Sequence, residues 1–407
     1  MIVDNLTLEK CLGKGAFGEV YLTSKKGDDK KKYATKKIDR DEVEKGEGIK
    51  YLKNEIIILQ YLRHPNIVRF EEVKKTKKHY YIVMEFCNGG ELSKALEKYQ
   101  EKFGKPFPEE IVQHFMKQII GAFKFIHERK IIHRDVKLDN ILLNYVTEED
   151  KNNFNLMKAQ AKIIDFGFSC KIDKSGLQFT ALGSPINMDP IILKKLNSSS
   201  KKTRQLGYNQ KADIWSLGTI CYEMLIGKSA FDADDMEDLV SKVENGSYNV
   251  PTTLSHEVVS FLNGMLQYEG VKRLSAEQLS RHAFLTKDVK DFTPLDLKKT
   301  NKVMNTKKLN QSIWAIFGAN DENKLMNIQG NEFIKPIDEK EELEFEERKK
   351  KNAGSNLMHL PSKGIPDNPT DTKVGAMTQE EQNAFGKEMG NLKESEYNFS
   401  AGGIFGK

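Results

Sequence analysis

"HRDVKLDN", residues 133–140, gathers a histidine, an arginine, carboxylate, a lysine and an amide into eight positions. Chance rarely groups these types so closely. Downstream, "DFG" at 165–167 closes the apolar run "KIID". Upstream, "YATK" at 33–36 ends a strand-like run, and a lysine at the end of an apolar strand can point into a cleft and meet phosphate oxygens. Beside Lys37, Lys36 would ordinarily be a surface lysine. Glu55, on the helical stretch that follows, raises it: a charge pair between strand and helix would hold Lys36 in place. Further upstream, "GKGAFGEV" places Gly13, Gly15 and Gly18 in a G-x-G-x-x-G-x-V pattern. Glycines let a backbone turn tightly and approach phosphates without a side-chain clash. A dinucleotide-binding loop would open a helix at these glycines. Here the strand-like "EVYLTS" follows, so they read as the tip of a β-hairpin.

Around these motifs the chain divides in two. Residues 7–87 read as short strands ("LTLEKCLG", "EVYLTS", "KYATKKID", "NIVRFEEV", "HYYIVMEF") with one helix, "IKYLKNEIIILQYLRH", in which Ile49, Leu52, Ile56 and Leu59 fall at helical spacing. Residues 88–286 read as mostly helical. The clearest helix, "PEEIVQHFMKQIIGAFKFIHE", starts at Pro108 with two glutamates after it and shows Ile111, Phe115, Ile119, Phe123 and Ile126 on one face. A β-rich piece before a helix-rich piece predicts an α+β, bilobal fold with a cleft between lobes. Residues 144–160 and 196–210 are polar, with little apolar periodicity, and read as surface loops. Residues 287–407 form a tail. In it "LNQSIWAIF" (309–317) and "TQEEQNAFGKEMGNLKE" (378–394) read as short amphipathic helices, "DEKEELEFEERKKK" as a solvated charged run, and "GSNLMHLPSKGIPDNPTDTKVG" as a linker.

The bulk numbers set limits. With 64 basic against 59 acidic residues the chain is mildly basic, which gives no nucleic-acid signature. Cys11, Cys87, Cys170 and Cys221 lie far apart, so neither a disulfide framework nor a zinc site is expected and a reducing, cytoplasmic compartment fits. The start "MIVDNLTLEK" is charged where a signal peptide needs an apolar core. No apolar run approaches the ~20 residues of a membrane span.

Taken in order, "GKGAFGEV", "YATK", Glu55, "HRDVKLDN", "DFG", "GSPINMDPI", "DIWSLG" and Arg273 resemble a eukaryotic protein kinase over roughly residues 7–286. Lys137, two places after Asp135, and "GSP" resemble the serine/threonine class. "FCNGGEL", "HRDVKLDN" and "LGSP" are similar to the calcium/calmodulin-dependent and, more closely, the autophagy-initiating kinases. The resemblance implies ATP and Mg²⁺ as cofactors and a protein with a serine or threonine acceptor as substrate. It implies that Leu12, Gly13, Lys14, Gly15, Ala16, Phe17 and Gly18 cover ATP's phosphates, with Lys36 on the α and β phosphates and Glu55 positioning it. Val20, Ala34 and Leu142 would sandwich the adenine, Met84 would be the gatekeeper, Glu85 and Cys87 would offer hinge backbone groups, and Glu91 would reach the ribose. Asp135 would accept the hydroxyl proton, Lys137 would neutralise charge at the γ-phosphate, and Asn140 and Asp165 would ligate Mg²⁺. Leu59, Phe70, His133 and Phe166 resemble a stacked spine, and Asp213 would hold the catalytic loop from below. Thr180 resembles an activation-loop phosphosite, with Arg134 as its partner and an upstream kinase implied. Asp139 would favour a basic residue on the substrate.

One segment departs from the family. "GSPINMDPI" (183–191) ends Asp-Pro-Ile where the family has Ala-Pro-Glu, and the family's glutamate pairs with the arginine matching Arg273. Either Asp189 reaches Arg273, another carboxylate does, or Arg273 turns to solvent. The altered triplet, the two enlarged loops and the long tail fit an alternative function, a kinase-fold scaffold anchored through its tail to a protein partner or larger assembly. The intact Lys36, Glu55, Asp135, Asn140, Asp165 and Gly167 set fits an enzyme.

Overall fold

The structure is a computed structural model. It describes residues 2–15, 18–44, 48–172, 178, 183–198 and 207–295, with the backbone of Val303–Asn305 and Gly375–Ala376. The regions 309–317 and 378–394, Ala16, Phe17 and Thr180 lie outside the described residues.

The N-lobe is an antiparallel sheet of β1 (Ile2–Val3), β2 (Leu6–Gly15), β3 (Gly18–Lys25), β4 (Asp28–Asp39), β5 (Phe70–Lys75) and β6 (His79–Glu85), in the order β1-β2-β3-β4-β6-β5. Residues opposite each other across a ladder share a face. The register puts Leu22, Ala34 and Met84 on one face together with Val20, Lys36 and Ile82. That face meets α2 (Gly48–Tyr61), where Leu52 and Ile56 pack with Ile38, Val43, Val73 and Ile82. Tyr33, Tyr81 and Val83 stand on the opposite face and join Val3, Leu6 and Leu8 in a second core. The lobe therefore begins earlier than composition suggested. Val3 and Leu6 close the outer core, and the β1–β2 turn places Asp4 2.7 Å from the buried Lys74 ammonium. The strand expected from Asn66 starts only at Phe70; before it, Ile67 makes a single bridge to Ile163.

The C-lobe is helical, as its sequence periodicity predicts. In α4 (Glu109–Glu128), Phe115, Ile119, Phe123 and Ile126 are buried and Ile111 is half-buried. In α7 (Lys211–Ile226) the buried residues run round the whole helix, including Trp215, Leu217, Ile220 and Met224, so it is the lobe's central rod. Between them in sequence lie α5 (Glu148–Asn152) and α6 (Pro190–Leu196), with α3 (Leu92–Phe103) at the lobe's start. Beyond α7, Glu257 accepts from Lys287 Nζ and Thr293 N, both at 2.8 Å, and Phe292 packs on Phe284. The packing thus continues to Pro294, past the boundary composition gave at 286.

The 144–160 stretch is not a plain loop. It joins β7 (Ile141–Asn144) to β8 (Gln160–Ile163) through α5, whose first turn is capped by Thr147 Oγ1 accepting from Asp150 N at 3.1 Å. Tyr145, Leu156 and Ala159 are buried beneath it. A five-residue helix is too short to show apolar periodicity, which is why the sequence read as loop. The Thr147-x-x-Asp150 spacing was the available signal. Among the described residues, no helix is long and apolar enough to cross a membrane.

Candidate active site

The catalytic loop is shaped by strain and by one carboxylate. Arg134 and Asp165 both have φ in the left-handed region, at 69° and 60°, which costs a non-glycine residue energy unless its surroundings over-determine it. Asp213, fully buried at the start of α7, supplies that determination for Arg134. It accepts from the backbone N–H groups of His133 and Arg134, each at 3.0 Å, and lies 2.9 Å from His127 Nε2. Burial alone would lift its carboxyl, but the hydrogen bond and charge of His127 and the Arg134 N–H hold it below the usual carboxylate range. Beside this support, Phe166 is fully buried and meets the His133 ring at 4.9 Å between centroids.

Asp135 is buried and surrounded by donors. Its Oδ1 accepts from Ser184 N at 3.0 Å and Ser184 Oγ at 2.7 Å; its Oδ2 accepts from Asn140 Nδ2 at 2.8 Å and lies 3.1 Å from Lys137 Nζ. Burial opposes ionisation, but Ser184 and Lys137 outweigh it, so the carboxyl sits below its ordinary range and is charged at neutral pH. Asn140 Nδ2 also donates to the Asp135 carbonyl at 2.8 Å.

Across the cleft, Lys36 Nζ lies 2.8 Å from Glu55 Oε1 and 3.1 Å from Oε2. Burial works to lower the lysine, and Glu55 and Asp165 together overcome it and hold it protonated. Burial and the neighbouring Asp165 push Glu55 up, against the pull of Lys36. Two carboxylates share one ammonium here. A Cβ on Gly167 would stand 3.1 Å from Asp165 Oδ1 and 3.7 Å from Glu55 Oε2, so a side chain there would make the Asp165 carboxylate give way by a few tenths of an ångström.

The glycine hairpin separates into two kinds of position. At Gly18, φ is 132° and a Cβ would lie 2.1 Å from the Lys37 carbonyl oxygen, so the fold itself demands glycine. At Gly13 a Cβ would meet nothing within 4 Å, and at Gly15 only the Gly18 carbonyl at 4.0 Å. Among the described residues nothing requires those two glycines; a group bound against the hairpin would. Val20, Ala34 and Leu142 are half-buried, while Leu12 is exposed and Lys14 pairs with Glu19 at 2.8 Å. The Glu85 carboxylate is turned to Lys162 at 2.8 Å, and its N–H donates to the Arg69 carbonyl at 2.9 Å. The Cys87 thiol is buried, and burial with the nearby Glu85 pushes it up to about 12, so it is no nucleophile. Glu91 is half-buried, directly before α3, and Met84 packs against the α2-facing core.

Residues 6–285 match the protein kinase domain family. The chain belongs to the protein kinase family. Its curated relatives include the serine/threonine-protein kinase atg1 of Dictyostelium discoideum, 34% identical over 70% of this chain and 39% of that protein. Protein kinase 2 of the same organism is 32% identical over 73% of this chain and 56% of its own. CBL-interacting serine/threonine-protein kinase 12 of Arabidopsis thaliana is 32% identical over 71% and 54%. The chain thus spans about two fifths to just over half the length of these relatives, and its relationships are on the serine/threonine side of the family.

The altered triplet resolves into the first of its three alternatives. Arg273, wholly buried, directs Nη1 to Asp189 Oδ2. Nε donates to the Gln267 carbonyl at 2.7 Å, Nη1 to that of Lys211 at 2.7 Å, and Nη2 to that of Tyr268 at 3.1 Å. The guanidinium also lies 5.0 Å from the Trp215 ring centroid. Asp189 spends its other oxygen on the N–H of Ile191, at 2.7 Å, as the N-cap of α6. The chain therefore keeps the brace and moves its carboxylate two residues earlier. Two residues the sequence did not mark also hold this segment: Ser216 Oγ donates to the Asn187 carbonyl at 2.6 Å, and Thr219 Oγ1 to Asn187 Oδ1 at 2.9 Å. Hydroxyls three apart on a buried helix carry no readable signal of their partner.

Proposed function

We propose that this chain is an ATP-dependent serine/threonine protein kinase acting on hydroxyls of a protein substrate. The observation that carries the reading is the Asp135 carboxylate: buried, ionised, and fixed by Ser184, Asn140 and Lys137 on one side of a cleft whose other side holds the closed Lys36–Glu55 pair. Fixed geometry and prearranged charge are the main means by which phosphoryl transfer is accelerated.

The residues present fit the implied nucleotide and metal. The open space at Gly13 and Gly15 suits phosphates, and the surplus carboxylate around Lys36 with the amide oxygen of Asn140 suits a hard cation. Bound Mg²⁺–ATP supplies the transferable γ-phosphoryl group and neutralises its charge. Lys36 would hold phosphate oxygens, Asp165 and Asn140 the metal. Asp135 would orient the acceptor hydroxyl and take its proton, and Lys137 would offset charge as it develops. Val20, Ala34 and Leu142 would enclose the base, with the Glu85 carbonyl and Cys87 backbone at its edge and Glu91 near the sugar.

Asp139 supports a preference for a basic residue in the substrate, since burial and the charge of Asp139 push the nearby Glu223 up to about 7 and a cation between them would relieve both. Activation by an upstream kinase at Thr180, with Arg134 as the phosphate's partner, belongs to the same proposal. So do a cytoplasmic location and a protein partner for residues 287–407. The scaffold alternative drew on the altered triplet, and Asp189 removes that support. The test is transfer of labelled γ-phosphate to serine, threonine and tyrosine peptide pools, with Asp135→Asn beside the wild type. Transfer to serine or threonine that the variant lacks is expected; wild-type signal no greater than the variant's returns the scaffold reading.

A further inference from the structure

Residues of the 62–69 stretch, between α2 and β5, line a cavity of about 290 Å³ together with Glu85 at the end of β6 and Lys162 on β8. Leu62 and Ile67, both buried, give it an apolar wall. Cations dominate the rest: Arg63, Arg69 and Lys162 stand against one carboxylate, that of Glu85. Lys36, Asp135, Asn140 and Asp165 do not line it. Its hydrogen bonds do not balance. Glu85 Oε1 already accepts twice, from Lys162 Nζ and from the Arg69 N–H, each at 2.8 Å. The Lys162 side chain is only 8% exposed, and an ammonium carries two further N–H donors. Arg69 turns Nε and Nη2 to Glu71, at 2.8 Å and 2.6 Å, and keeps Nη1. Arg63 has no polar partner among the described residues. His64 accepts from the Asn66 N–H at Nδ1, at 3.1 Å, so its neutral ring carries the proton on Nε2 as one more donor. Burial and the charges of Arg129 and Lys162 hold that ring below its ordinary value, as a positive field would. Donors in such excess are completed by water or by an anion. A field of one sign focused in a concavity favours the anion.

We propose that this cavity is a binding site for a phosphate group, separate from the catalytic cleft. The guanidinium forks of Arg63 and Arg69 match phosphate oxygens. Lys162 adds a buried point charge, and His64 Nε2–H a neutral donor. The volume lies near the ~300 Å³ lower end of small-molecule sites, so the apolar wall leaves room for a small organic body behind the phosphate. The group is either free phosphate or the phosphate of a small phosphomonoester. Glu85 is the one residue shared with the cleft: its carboxylate lines this cavity, and its backbone stands at the edge of the proposed base site.

The experiment titrates the full chain with inorganic phosphate and with phosphoserine by calorimetry, and follows the His64 ring protons by NMR. Arg63→Gln with Arg69→Gln removes both exposed forks; Arg63→Gln alone breaks no ion pair and keeps the test readable if the double variant melts early. Lys36→Met removes the phosphate-holding lysine of the cleft. Saturable binding of at least one probe is expected, with a shift of the His64 signal. Affinity should fall at least about tenfold in the double arginine variant, fall in the same direction in Arg63→Gln, and stay within about twofold in Lys36→Met. Tighter phosphoserine assigns the site to a phosphomonoester, and tighter inorganic phosphate assigns it to the free ion; either supports the proposal. No saturable binding, binding lost in Lys36→Met but kept without the arginines, or an adventitious ion only, bound with the His64 signal unmoved, overturns it. None of these readouts needs turnover, so a chain that transfers no phosphate tells against the kinase reading and leaves this result to stand by itself.

Discussion

The Lys36–Glu55 pair joins a strand to a helix in the N-lobe; the Asp189–Arg273 pair joins the end of the activation segment to a turn in the C-lobe. Both are nearly dry, with side chains 13% and 6% exposed in the first and 0% and 3% in the second. They differ in how their remaining valences are met. Arg273 donates to three backbone carbonyls and lies against Trp215, and Asp189 caps a helix. Every direction is used within the protein, so the pair is structural. Lys36 and Glu55 share their site with a second carboxylate, Asp165, and leave the region with an excess of negative charge beside an open glycine hairpin. That pair is electrostatically incomplete without a cation and phosphates. A buried ion pair is weak evidence for stability by itself; what surrounds it tells whether it serves folding or a ligand.

The sharpest way to break the comparison is to remove the cation from each. Arg273→Met strands Asp189 and three carbonyls, and should cost about 3–5 kcal/mol, read as a lowered urea midpoint with the slope unchanged. Lys36→Met should lower kcat/KM by roughly 10²–10³-fold yet cost less stability than Arg273→Met, because Glu55, already pushed up by burial, can take a proton. If the two variants lose stability equally, the division between them is wrong.

Asp213→Asn sharpens the structural side. It weakens charge-assisted bonds to His133, Arg134 and His127, with a loss of about 2–3 kcal/mol. The wild-type carboxyl is held below its ordinary value of 3.8. Its contribution is therefore present above that pH and lost as pH falls through the folded value, so the gap between wild type and variant in chemical unfolding should narrow below about pH 4.

Much of this was legible beforehand, because the motifs stand in order and each names its own chemistry. Lys36 and Glu55 could be paired from a strand and helix adjacent in sequence. The Asp189–Arg273 pair could only be set among alternatives, since the partners lie far apart and three outcomes satisfied the same letters. The β1 strand and outer core were not readable: Ile2–Val3 is too short for a periodic signal, and its partners Tyr33, Tyr81 and Val83 are distant. The docking of residues 287–294 depends on Glu257, a glutamate that looks like any surface helix residue until its bonds to Lys287 and Thr293 are seen.

The smallest expected effect concerns Glu223. Its folded value of about 7 lies above the unfolded 4.5, so its stability contribution is full below pH 4.5 and is lost as pH rises through 7. Glu223→Gln should be near neutral at pH 4.5 and stabilising at pH 8, measured by thermal unfolding across pH. An effect of opposite slope would show that the Asp139–Glu223 region is not acid-rich and would remove the support for a basic substrate residue.

The most direct test of the whole account is turnover per folded molecule of wild type and Lys36→Met at saturating Mg²⁺–ATP, with folding monitored in the same samples. The account predicts phosphate transfer by the wild type, its near-complete loss in the variant, and largely retained folding. A folded wild type that transfers no phosphate, or a variant that transfers as fast, contradicts it.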